Sequence, residues 1–125
     1  MARILLVDDQ PDALTCQAML LELVGHKVAK AQDGHEALRL CSEIHPEVML
    51  LDIEMPGMSG IEVARRIRDG ACTPLPGLVA LSGYQGLQTS PALKLFDAFV
   101  LKPASLEAIE SAITATIARR GESIF

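Results

Sequence analysis

The chain has 125 residues, a formal charge of −5 and an apolar half that contains almost no aromatic residues and no tryptophan. A chain this long buries roughly two-thirds of its unfolded surface, so one core is possible, built mainly from Leu, Ile, Val, Ala and Met. The only basic pair of note, Arg119-Arg120, is too short for a nucleic-acid stripe, and no run approaches the roughly 18 apolar residues of a membrane span.

The opening segment, Ile4-Leu5-Leu6-Val7-Asp8-Asp9, is apolar only briefly and then turns acidic. It reads as a short strand and not as the apolar region of a signal peptide. Pro11 stands where a first helical position belongs, and Gly25 just past the helix end. Lys27-Val28-Ala29-Lys30-Ala31 alternates polar and apolar residues, which suits an edge strand. Asp33-x-x-Glu36 is a capping box opening a second helix.

Val48-Met49-Leu50-Leu51 is a continuous apolar run ending in Asp52. Such runs suit strands covered on both faces of a parallel sheet. Ser59-x-x-Glu62 is a second capping box. Leu78-Val79-Ala80-Leu81 repeats the strand pattern and ends in Ser82. The stretch 83–97 is rich in Gly, Gln and Ser, so only a short helix near Ser90-Pro91 is expected there. Phe99-Val100-Leu101 leads into Lys102-Pro103. After it, Ser105 can cap a last helix whose Leu106, Ile109, Ile113 and Ile117 share one face.

The sum is a β-α unit repeated five times, an α/β chain with a parallel sheet and helices on both faces. No linker or repeat interrupts it, so a single domain over residues 1–125 is expected. Cys16, Cys41 and Cys72 are odd in number, far apart and without a CxxC. They predict neither a disulfide framework nor a zinc site, and with the N-terminus they point to a reducing cytoplasm. Cys16 and Cys41 sit in apolar helical patterns and read as buried spacers, Cys72 as a loop residue. His26, His35 and His45 fall in or beside turns without ligand spacing and read as ordinary exposed residues.

In an open parallel sheet, ligands bind beyond the carboxyl ends of the strands. Asp8-Asp9, Asp52, Ser82 and Lys102 all follow strand-like runs, so the fold gathers them at one edge. Any one alone reads as a solvated turn residue; together they read as a site. Three neighbouring carboxylates repel, and desolvation worsens this, so cations must compensate. Lys102 supplies one charge. A hard divalent ion held by few carboxylates and several waters fits Mg²⁺. A carboxylate beside Mg²⁺ and Lys⁺ can attack a phosphoryl group, because the cations neutralise the transferring oxygens.

At this point the chain resembles the receiver domains of two-component response regulators. The matching pieces are Ile4–Asp9, Asp33-Gly34-x-Glu36-Ala37-Leu38, Leu50–Gly60, Ala80-Leu81-Ser82-Gly83 and Leu101-Lys102-Pro103. The resemblance implies a doubly wound five-stranded sheet in the flavodoxin-like order 2-1-3-4-5. It makes Asp52 the phosphoacceptor and gives the Mg²⁺ ligands as Asp8, Asp9, Asp52 and the backbone carbonyl of Glu54. Lys102 then pairs with a phosphoryl oxygen, Ser82 is the switch hydroxyl, and Phe99 is the switch aromatic. The Lys102-Pro103 peptide is expected cis. Glu54 and Tyr84 are expected to flank the path of the hydrolytic water and slow loss of the phosphoryl group. Phe99 lacks the hydroxyl that a Tyr would carry there, and the wording around Phe96–Pro103 resembles receivers attached to hybrid sensor kinases.

The implied protein is a cytoplasmic phosphorelay component, not an enzyme in its own right. Its implied phosphodonor is a histidine kinase or histidine phosphotransfer protein, and it binds neither nucleic acid nor membrane. Three other readings compete. An aspartyl-phosphate phosphatase wants a second Asp two residues after the nucleophile, where this chain has Glu54, and a cap domain. A flavin carrier wants a phosphate-cradling loop where Asp8-Asp9-Gln10 stands. A non-phosphorylated docking receiver would have no need of the full set of Asp, Ser and Lys.

Overall fold

The computed structural model describes residues 2–122. Five parallel strands run β1 (Arg3–Val7), β2 (Lys27–Ala31), β3 (Val48–Asp52), β4 (Gly77–Ser82) and β5 (Ala98–Leu101), in the sheet order β2-β1-β3-β4-β5. The α-helices are α1 (Pro11–Leu23), α2 (Gly34–Ile44), α3 (Gly60–Arg66) and α4 (Leu106–Glu122). This is the flavodoxin-like order the resemblance implied.

Strand periodicity divides the core into two layers. Leu5, Val7, Met49, Leu51, Leu78 and Ala80 point to the α2–α3 side, where Val63, Ala64, Ile67 and Phe96 cover them. Ile4, Leu6, Val48, Leu50, Val79 and Leu81 point to the other side, under Leu14, Ala18 and Leu21 of α1 and Ile109 and Ile113 of α4. The three central strands are therefore buried on both faces, as their unbroken apolar runs predict. β2 is the half-exposed edge its alternation predicts. β5 is the other edge and only half-buried, although its short run is continuous; a run of this length does not distinguish an edge from an interior strand.

The caps form largely as read. Pro11 opens α1, and Gly25 follows it at φ 102°, a left-handed conformation that favours glycine. The Asp33 side chain accepts from Glu36 N at 2.8 Å. The return arm of that box reaches one residue further than expected, Glu36 Oε1 accepting from Gln32 N at 2.9 Å. Ser59 accepts from Glu62 N and Ser105 from Ala108 N.

Four expectations are corrected. The fourth β-α unit has no α-helix: two 3₁₀ turns, Gln85–Thr89 and Pro91–Leu95, make the crossover. Ser90 caps the second, with Pro91 at its start. Cys41 and Cys72 are bonded as a disulfide, both buried, joining α2 to the segment after α3. Residues 31 apart in sequence meet there because α2 packs beside α3, a proximity that cysteine spacing does not encode. Cys16 is an exposed free thiol and not a buried spacer. His26 is not an ordinary surface residue: its ring accepts from Ala2 N at Nδ1 (3.0 Å) and meets Glu110 Oε1 at Nε2 (2.5 Å). It ties the start of β1 to α4. No helix among the described residues is long and apolar enough to cross a membrane.

Candidate functional site

The site lies at the carboxyl edge of the sheet, where β1, β3, β4 and β5 end side by side. Parallel register explains the assembly. Val7 pairs with Leu51, Asp52 with Leu81, and Ser82 with Leu101. The residues following these pairs are therefore neighbours despite their distance in sequence. Asp8 and Asp52 are almost fully buried, and Asp9 is half-buried. Each offers a carboxylate oxygen within 4.8 Å of the others.

Lys102 enters from the loop after β5. Its Nζ lies 3.0 Å from Asp52 Oδ1 and 3.7 Å from Asp8 Oδ2. Its backbone N donates to Ser82 O at 2.8 Å, and the Lys102-Pro103 peptide is cis as expected. A second cis peptide, Thr73-Pro74, was not anticipated. Apart from this Lys102 contact, the buried Asp52 Oδ1 has no hydrogen-bond partner among the described residues.

Burial is the main force on Asp52. It raises the carboxyl from its ordinary 3.8 to about 6, against the opposing pull of Lys102 and with smaller pushes from Asp8 and Glu54. The sequence reading put repulsion first; here desolvation dominates. A buried carboxylate oxygen with no donor beyond Lys102, beside two more carboxylates, suits a hard cation with oxygen ligands. The donor set therefore fits the implied Mg²⁺.

The loop after β3 is pinned against the end of the strand that carries Asp52. Met55 is buried, and Gly60 N donates to Ile53 O at 3.1 Å. Gly60 is required by contact: a Cβ there would lie 2.4 Å from Asp52 O and 2.9 Å from Ile53 Cα. The fold thus brings together Asp8, Asp9, Asp52 and Lys102, with Ser82 one position beyond Asp52's partner Leu81 in the register. Phe99 is half-buried on β5, paired with Ala80 and packed against the α2–α3 side of the core.

One arrangement was missed. Glu54 turns its side chain onto the end of β4. Ser82 Oγ donates to Glu54 Oε2 at 2.6 Å, and Gly83 N donates to Oε1 at 3.2 Å. Ser82 Oγ in turn accepts from Tyr84 N at 3.0 Å. The reach of a Glu from one loop to another depends on both loops' paths, which no local motif specifies. Tyr84 itself is 66% exposed.

Comparison with known proteins follows from this geometry. A family model described as the response regulator receiver domain matches residues 4–114. A probable transcriptional regulator ycf27 of Guillardia theta is 33% identical over 98% of this chain. The chain spans 48% of that relative's length, and between 17% and 71% of other curated relatives. Among solved structures, a response regulator receiver domain from Clostridium thermocellum superposes with TM-score 0.86 at 28% identity, covering 97% of this chain and 98% of that one. The regulator TrrA of Thermotoga maritima, in complex with Mg²⁺ and BeF, gives TM-score 0.81 at 31% identity, with 92% and 99% covered.

Proposed function

The chain belongs to the response regulator receiver domain family, and from that premise we propose that Asp52 is the residue that takes the phosphoryl group. Two-component phosphoacceptor function is common to the family; the roles of individual residues here are our reading. The single observation that carries it is the pairing of Asp52 with Lys102 at 3.0 Å inside a cluster of three carboxylates.

In the proposed transfer, an Asp52 carboxylate oxygen forms a bond to phosphorus as the donor's P–N bond breaks, the donor being a phosphohistidine on a kinase or phosphotransfer protein. At neutral pH Asp52, with a pKa of about 6, is mostly ionised and able to attack. Lys102 Nζ holds a transferring oxygen. Asp8, Asp9, Asp52 and the Glu54 carbonyl would hold Mg²⁺, which neutralises charge on the transferring oxygens when bound. Ser82 then donates to the new dianion, and the Phe99 ring moves into the space it leaves. The domain is taken to span residues 1–125, and the cytoplasmic location rests on the proposed phosphohistidine donor alone, because the Cys41–Cys72 bond removes the cysteine argument for it.

The test is incubation with a small phosphodonor and Mg²⁺ followed by intact mass. The parent should gain one phosphoryl group, and Asp52→Asn should gain none while keeping its fold. A full gain in that variant would sink the assignment.

A further inference from the structure

We propose that the Glu54 side chain is a positioning residue that occupies, in the resting chain, the two donors the phosphoryl group must later recruit. The inference rests on the reading of Ser82 as the hydroxyl that answers phosphorylation.

A serine hydroxyl carries a single proton. Ser82 donates it to Glu54 Oε2 at 2.6 Å, the short range of a charge-assisted bond. While it does so, it donates to nothing else. The other carboxylate oxygen takes the next backbone donor, Gly83 N. One carboxylate thus engages an O–H and an N–H together, as two oxygens of a phosphoryl group would. Ser82 is fully buried and held from behind by Tyr84 N, whereas Glu54 is exposed and free to swing into solvent. Glu54 is therefore the group that gives way first, which releases Ser82 to turn toward the phosphoryl group. The dianion that needs Ser82 also repels the carboxylate that holds it, so charging Asp52 both creates the demand and loosens the competitor.

The experiment is a double-mutant cycle on beryllofluoride binding at saturating Mg²⁺, with parent, Glu54→Ala, Ser82→Ala and the double variant. Glu54→Ala should tighten beryllofluoride about tenfold where Ser82 is present, the scale of one hydrogen bond to a charged group. It should gain much less where residue 82 is Ala. Glu54→Gln, which keeps the shape and loses the charge, should fall between parent and Glu54→Ala. In metal-free protein, amide exchange at Gly83 should speed up in Glu54→Ala. Equal tightening in both backgrounds would show Glu54 acting through charge alone and overturn the proposal, as would no tightening or an unchanged Gly83. A parent that binds no beryllofluoride would overturn the phosphoacceptor reading as well; a parent that binds it without coupling overturns only this inference.

Discussion

Lys102 Nζ stands 3.0 Å from Asp52 Oδ1, yet the Asp52 carboxyl is pushed up to about 6. The ion pair does not offset burial. A carboxyl that binds its proton more tightly when folded makes the folded protein lose stability as pH rises between its unfolded and folded pKa values. For Asp52 that window runs from 3.8 to about 6. In metal-free buffer, Asp52→Asn should be more stable than the parent at pH 7–8, on the order of 1–3 kcal/mol. The gap should close as pH falls toward 4. Thermal melts across that range check it; a gap that widens on acidification contradicts the burial argument.

Asp9 tests the cation site from the other side. Its removal takes away a proposed ligand and relieves crowding among the remaining carboxylates. Asp9→Asn should lose Mg²⁺-dependent phosphorylation while its melting temperature stays level or rises. Unchanged phosphorylation across a Mg²⁺ titration would remove Asp9 from the site.

Ser82→Ala separates chemistry from response. Asp52, the acidic pair and Lys102 remain, so the variant should still accept a phosphoryl group. The movement of Phe99 that follows Ser82 should be lost; burying such a ring contributes on the order of 1–3 kcal/mol, enough to shift a two-state balance at least tenfold. NMR shifts of residues 83–110, with and without beryllofluoride, read this directly. A Ser82→Ala chain that responds as fully as the parent would deny Ser82 its switch role.

The Cys41–Cys72 bond closes a stretch of 31 residues. In the chain-entropy account a loop of that size is worth about 4 kcal/mol. Reductant and Cys72→Ser should lower the melting temperature alike. Alkylation of the native, unreduced protein should label Cys16 alone; three labels without reductant would mean that the bond does not form in solution.

Much of this molecule is legible in its sequence because the relevant physics is local. β1, β3 and β4 announce themselves through unbroken apolar stretches, and Asp33, Ser59 and Ser105 mark helix starts with side chains that satisfy nearby amides. Strand ends then place Asp8, Asp52, Ser82 and Lys102 together by parallel register alone. What escaped depends on how separate loops and helices lie against one another: the Glu54–Ser82 bond, the Cys41–Cys72 pairing and the His26–Glu110 contact each join segments no motif connects. The 83–97 stretch showed its weakness through Gly, Gln and Ser, but not that two 3₁₀ turns would replace a helix.

That replacement bears on which partners can tell this chain from its many relatives. A 3₁₀ segment repeats every three residues, so its side chains stack in straight rows, whereas an α-helix presents slanted ridges. Here an extended Ser90 separates the two turns and Leu87 is buried beneath them, so the segment shows two short steps and no continuous ridge. A groove cut for helical ridges does not register with such a surface. Shape mismatch of this kind rejects wrong partners without any repelling charge, so a partner that reads this segment must fit two short steps and not a helix.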